Sequence, residues 1–167
     1  MKHIGTKLAQ LTQLFRQAGA SNPEQWARSE IDEDIPQLAR FLFLRQAWRS
    51  VVSAGDTTWV DQQIAHSLAH QDAPGASLGI ALQRLLKQGC SREDLTEVAR
   101  TMQWELLHSL CYLLSDPSIE EADLQQVSWA LVEVGADGKF GRVIGGLHES
   151  VLETDPNGRE MKPIRVP

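Results

Sequence analysis

Cysteine is scarce in this chain, and so are tyrosine, basic charge and long apolar runs. Two cysteines among 167 residues, Cys90 and Cys111, offer no disulfide framework, so the fold has to rest on its core. Both read as reduced thiols, Cys111 as a small apolar residue of a helix. The densest apolar run, Phe41 to Leu44, is closed off by Arg40 and Arg45. That is far short of the ~18–20 apolar residues that span a bilayer. The N-terminal Met-Lys-His-Ile-Gly-Thr-Lys-Leu-Ala-Gln has no unbroken apolar segment and does not read as a signal peptide. Cytoplasm is the expected compartment. Net charge is −6, with 16 Lys and Arg against 22 Asp and Glu. Nucleic-acid binding calls for clustered positive charge, so it is not expected. Arg40, Arg45 and Arg49 lie close together, but they read as a solvated face bridged to acidic neighbours.

What is present is helical periodicity. From Ser91 the chain reads to Asp116 without a breaker and stops at Pro117; Ser91 followed by Asp94 resembles a capping box. Leu95, Ala99, Met102, Leu106, Leu110 and Leu113 recur every three or four residues and stack into one stripe. Trp104, Leu107, Cys111 and Leu114 carry apolar surface further round. A helix apolar on most sides has to be covered on most sides. The expected fold is therefore mainly α: a single-domain bundle around a central helix at about 92–115. A small C-terminal β-hairpin at about 129–144 completes it.

One domain over 1–160 suits the length. Ile4, Leu8, Leu11, Phe15 and Ala18 predict a first helix ending at Gly19, and Pro23 opens a short one carrying Trp26. The acidic run Asp32-Glu33-Asp34 precedes a helix over about 36–54, where acids suit a helix N-terminus. Gly55 stops it, and Asp56 or Thr57 caps the next, which runs to about His70. After a loop at 71–75, Leu78, Leu82 and Leu85 make a helix closed by Gly89. Ser118 with Glu121 reads as another capping box, with Leu124 and Val127 at helical spacing. From Trp129 the pattern turns strand-like and Asp137-Gly138 is a strong hairpin signal. Leu124, Val127, Leu131 and Val134 fit one helix face equally well. Asp155-Pro156-Asn157-Gly158 matches a type I turn, and 161–167 read as an extended or disordered tail.

Three places offer chemistry. His66 and His70 stand at i, i+4, the spacing of His-Glu-x-x-His zinc proteases, with Ser67 where those enzymes place their glutamate. Protease activity has no support. A transition metal would need a third ligand such as His108 or Asp72. His108 and Cys111, with Glu105, are a second candidate, for ligation or for a lowered thiol pKa. The third is the stretch Gly145-Gly146-Leu147-His148-Glu149 with Asp155, Arg159 and Glu160, where titratable groups concentrate in irregular chain. A Gly-Gly pair before a helix can turn backbone N–H groups toward an anion; the plainer reading is a turn tied down by salt bridges. His148, Glu149, Asp155, Arg159 and Glu160 form the candidate interaction surface.

Gly145–Leu152 and Asp155–Met161 resemble the C-terminal end of small uncharacterised bacterial proteins, a similarity that implies no activity, cofactor or catalytic residue. Trp26, Trp48, Trp59, Trp104 and Trp129 are many for this length; most belong in a core, and any left exposed marks a partner site. The functional expectation is a soluble cytosolic protein-binding module (adaptor, regulator or immunity-type inhibitor) without a catalytic set or a cofactor. Its partner would be a protein, suitably a basic one, with a homo-oligomer also open. Alternatives are a metal-dependent enzyme or metal sensor using His66 and His70, and a small-ligand-binding bundle.

Overall fold

Leu11, Phe15 and Ala18 share one face of an N-terminal helix, and the chain turns back at Gly19 to cover it. A computed structural model of the protein, describing residues 2–163, places that helix, α1, at Lys2–Ala18. It is followed by α2 (Pro23–Asp32), α3 (Gln37–Ala47), α4 (Thr58–Ala69), α5 (Ser77–Lys87), α6 (Arg92–Ser115), β1 (Val132–Val134), β2 (Phe140–Val143) and α7 (Leu147–Ser150). The protein is mainly helical with one small antiparallel sheet, as expected. None of the described helices is long and apolar enough to cross a membrane. The chain divides into two compact units, Met1–Trp48 with Leu107–Pro167 and Arg49–Leu106; α6 contributes to both.

In the first unit α1, α2 and α3 build an aromatic core. Phe15 stacks on Trp26 at 5.9 Å between ring centres, and Phe41 meets both edge-on at 5.8 and 5.5 Å. Such pairs add to the burial of large apolar area. The C-terminal segment closes onto these helices. Trp48 is buried and its indole N–H donates to the Val151 carbonyl at 3.0 Å and to Thr154 Oγ1 at 3.2 Å. The hairpin is antiparallel, pairing Val134 with Phe140 and Val132 with Val143 across an irregularity. Gly138, at φ 77°, supplies the left-handed position that the Asp137-Gly138 turn requires.

In the second unit α4 packs closely on α5. Ser67 is buried on α4, and Gly79 of α5 lies against it, donating its N–H to Ser67 Oγ at 3.2 Å. A Cβ at position 79 would overlap the Ser67 side chain and crowd the Gln63 carbonyl. Thr57 is the N-cap of α4 and makes no side-chain cap bond; Asp56, one residue before it, accepts the N–H and the hydroxyl of Thr58 at 2.9 and 2.6 Å. Those bonds hold its carboxyl below its ordinary pKa.

Three expectations are corrected. The helix over 36–54 ends earlier, at Ala47, and passes through a 3₁₀ turn at Trp48–Ser50. Beyond it the Val52 N–H goes to Gln103 Oε1 at 2.7 Å instead of to a helical carbonyl. No helix follows Ser118, which sits at φ 36°; only a 3₁₀ turn forms at Ala122–Leu124. Leu124 and Val127 stay exposed, and a short helix with no face to bury is marginal. Third, α6 is not covered on most sides. Val98, Met102, Leu106, Leu110 and Leu113 are exposed, Met102 by 65% and Leu106 by 60%. Of the tail, Met161 is tied to Asp155 through its N–H, and residues 164–167 lie outside those described.

Substituting Gly79 tests the close approach. Alanine there gains about 1 kcal/mol of helix propensity, but overpacking against Ser67 costs about 1–3 kcal/mol. Thermal unfolding of Gly79→Ala should show a lower Tm than the parent; a higher one would mean that α4 and α5 do not meet this tightly.

Candidate functional site

Within the first unit, two arginines tie the C-terminal part of the chain to α2 and α3. Arg40 of α3 is buried and donates through Nε to the Gly145 carbonyl at 2.9 Å and through Nη1 to Gln37 Oε1 at 3.2 Å. Its Nη2 pairs with Glu149 at 3.4 Å. Gly146, at φ 62°, leaves open the space that this guanidinium fills; a Cβ there would collide with it. The Gly-Gly step therefore makes room for a cation instead of turning N–H groups toward an anion. Arg142 of β2 donates to Glu30 at 2.8 Å, to Glu133 at 2.9 and 3.1 Å, and to Asp34 at 3.5 Å. Glu30 is buried, and its second oxygen takes the Leu38 N–H at 2.8 Å. Hydrogen bonding to Arg142 holds the Glu133 carboxyl below its ordinary pKa and raises that of the guanidinium.

Of the five candidate surface residues, only part faces solvent. Asp155 is buried: Oδ1 accepts the Asn157 N–H at 3.1 Å and Oδ2 the Met161 N–H at 3.2 Å, so it shapes the turn. Glu149 is exposed but paired to Arg40, and Glu160 pairs with Lys162 at 2.6 Å. Arg159 is half-buried. His148 lies edge-on to Tyr112 at 5.0 Å and to His108 at 6.2 Å. Its Nδ1 is buried without a hydrogen-bond partner among the described residues. Desolvation of Glu153 by burial, with Glu160 adding to it, raises that carboxyl's pKa.

The metal and thiol candidates gain no further ligand among the described residues. His66 and His70 stand together at the exposed end of α4, 4.8 Å between ring centres. His108 belongs to the other unit. Among the described residues no group of three His, Cys, Asp or Glu could hold a metal ion. Cys111 is buried and its pKa is pushed up to about 11 by desolvation, so it is a protonated, unreactive thiol at neutral pH.

The largest departure from the sequence reading is also the best candidate surface. The inward positions of α6 hold polar side chains: Thr96 and Arg100 are buried and Gln103 is half-buried. Each serves irregular backbone at 52–56. Arg100 Nη1 donates to the Val52 carbonyl at 2.7 Å, and Thr96 Oγ1 to the Asp56 carbonyl at 3.3 Å. Thr96 in turn accepts the Trp59 indole N–H at 2.9 Å. With those groups turned in, Val98, Met102 and Leu106 are turned out. The acidic residues Asp94 and Glu105 stand beside it. Arg92 is engaged with Asp61 at 2.8 Å, which leaves exposed acidic charge along this helix. Trp129, the tryptophan left exposed, donates to the Leu113 carbonyl at 2.9 Å.

No family model, curated protein or solved structure matches the chain.

The Arg142 network makes a stability prediction with a defined pH sense. Arg142→Met leaves Glu30 buried without its cation. The loss should be about 2–3 kcal/mol at neutral pH, below the full buried-pair value because Arg142 is partly solvated. A carboxyl whose pKa is lowered by folding contributes above its unfolded value, and that contribution vanishes as pH falls through the folded one. Denaturant unfolding should therefore find the gap between parent and variant narrowing below about pH 4. A gap independent of pH would rule out the ion network as its source.

Proposed function

We propose that this protein is a cytosolic protein-binding module that captures its partner on the outer face of α6. One observation carries the reading: Val98, Met102 and Leu106 stay exposed at helical spacing on the part of α6 that belongs to the second unit. Apolar groups left in water in a contiguous row favour association, whereas scattered single ones do not. The neighbouring acidic residues Asp94 and Glu105 suit a partner with basic groups flanking its own apolar face, for example an amphipathic basic helix. Negative charge also speeds the encounter with such a partner. An adaptor, a regulator or an immunity-type inhibitor would each work this way.

The reading is tested by recovering bound proteins with the parent and with Leu106→Glu and Met102→Glu. Both positions are exposed, so circular dichroism should be unchanged while binding falls at least tenfold. Association of the parent should weaken as salt is raised, because part of the attraction is between exposed charges. Equal recovery with all three proteins would sink the reading.

A further inference from the structure

The histidine pair of α4 is placed for a task that the α6 face does not perform. α4 ends at Ala69, and the His70 N–H closes the last helical bond, to the His66 carbonyl at 3.0 Å. His70 itself has left the helix, at φ −132° and ψ 62°, and both imidazoles are exposed. Their ring centres are 4.8 Å apart with the planes tilted by 48°. Metal–nitrogen bonds run to about 2.0–2.1 Å. Two imidazoles on one ion, at angles between square and tetrahedral, then hold their ring centres about 4.5–5.2 Å apart. The α4 pair falls inside that range. His108 and His148, at 6.2 Å, fall outside it.

We propose that His66 and His70 form a two-histidine chelate for a divalent transition metal, with Cu²⁺ the tightest and Ni²⁺ and Zn²⁺ weaker. Imidazole suits these ions, and affinity rises toward copper and drops at zinc. The end of α4 reinforces the site, since the last carbonyls of a helix carry partial negative charge that favours a cation. Among the described residues no third His, Cys, Asp or Glu completes the set, so water fills the remaining positions. Such a site is open and exchangeable, unlike the closed four-ligand sites that hold a fold together. Because the two side chains are exposed, metal is not needed for folding, and removing either ring leaves the helix intact.

The test is calorimetric titration of the untagged chain with copper, nickel and zinc salts in turn, in a Cys90→Ser background that removes the exposed thiol. One ion per chain is expected, with binding at least tenfold weaker in His66→Ala and in His70→Ala and unchanged in His108→Ala. Thermal unfolding gives a second readout: the ion should raise the Tm of the parent and leave that of His66→Ala/His70→Ala where it was. Binding that survives in the double variant, or that is lost in His108→Ala, would overturn the assignment.

Discussion

The backbone at 52–56 lies outside any helix, and three side chains of α6 hydrogen-bond to it. Thr96 and Arg100 are buried, and buried polar side chains without partners are costly, so their need for this backbone outranks the pull of a few apolar side chains toward the interior. Arg100, Thr96 and Gln103 answer the Val52 carbonyl, the Asp56 carbonyl and the Val52 N–H. Once those three face inward, the helix has no rotational freedom left, and its aliphatic row faces out. The proposed binding face is thus a consequence of where the polar groups had to go.

The other unit is held by a similar principle over much longer range. Arg40 reaches Gly145 and Glu149, Arg142 reaches Glu30 and Asp34, and Trp48 reaches Val151 and Thr154, with every pair more than a hundred residues apart. The aromatic core of Phe15, Trp26 and Phe41 supplies the apolar burial. The arginines fix where the C-terminal segment lies on it. Glu30 illustrates the division of labour, with one oxygen for Arg142 and the other for the start of α3. Gly146 is retained in this arrangement by the volume of a guanidinium.

Features decided by a few consecutive residues were legible in the sequence. The Ser91 cap is made, its hydroxyl accepting the Asp94 N–H at 3.0 Å, and Gly19 and Gly89 end their helices in the left-handed conformation. The Asp137-Gly138 turn and its strands formed for the same local reason. What misled the reading was periodicity taken as burial. The stripe from Leu95 to Leu113 gave the helix correctly but not the side that is buried, because hydropathy ranks Met102 above Arg100 and knows nothing of the Val52 carbonyl. Similarly, Asp155 looked like a surface acid until its two oxygens were found closing a turn. The partnership of Glu30 with Arg142 carries no local signal at all.

The outer face of α6 is proposed to meet another protein in the cell. Site-specific photo-crosslinking tests this directly, with a diazirine amino acid placed at Met102 and, for comparison, at Gln62, an exposed position of α4. A discrete crosslinked species from position 102, absent from position 62, is the predicted result. The same faint, heterogeneous products from both positions would contradict it.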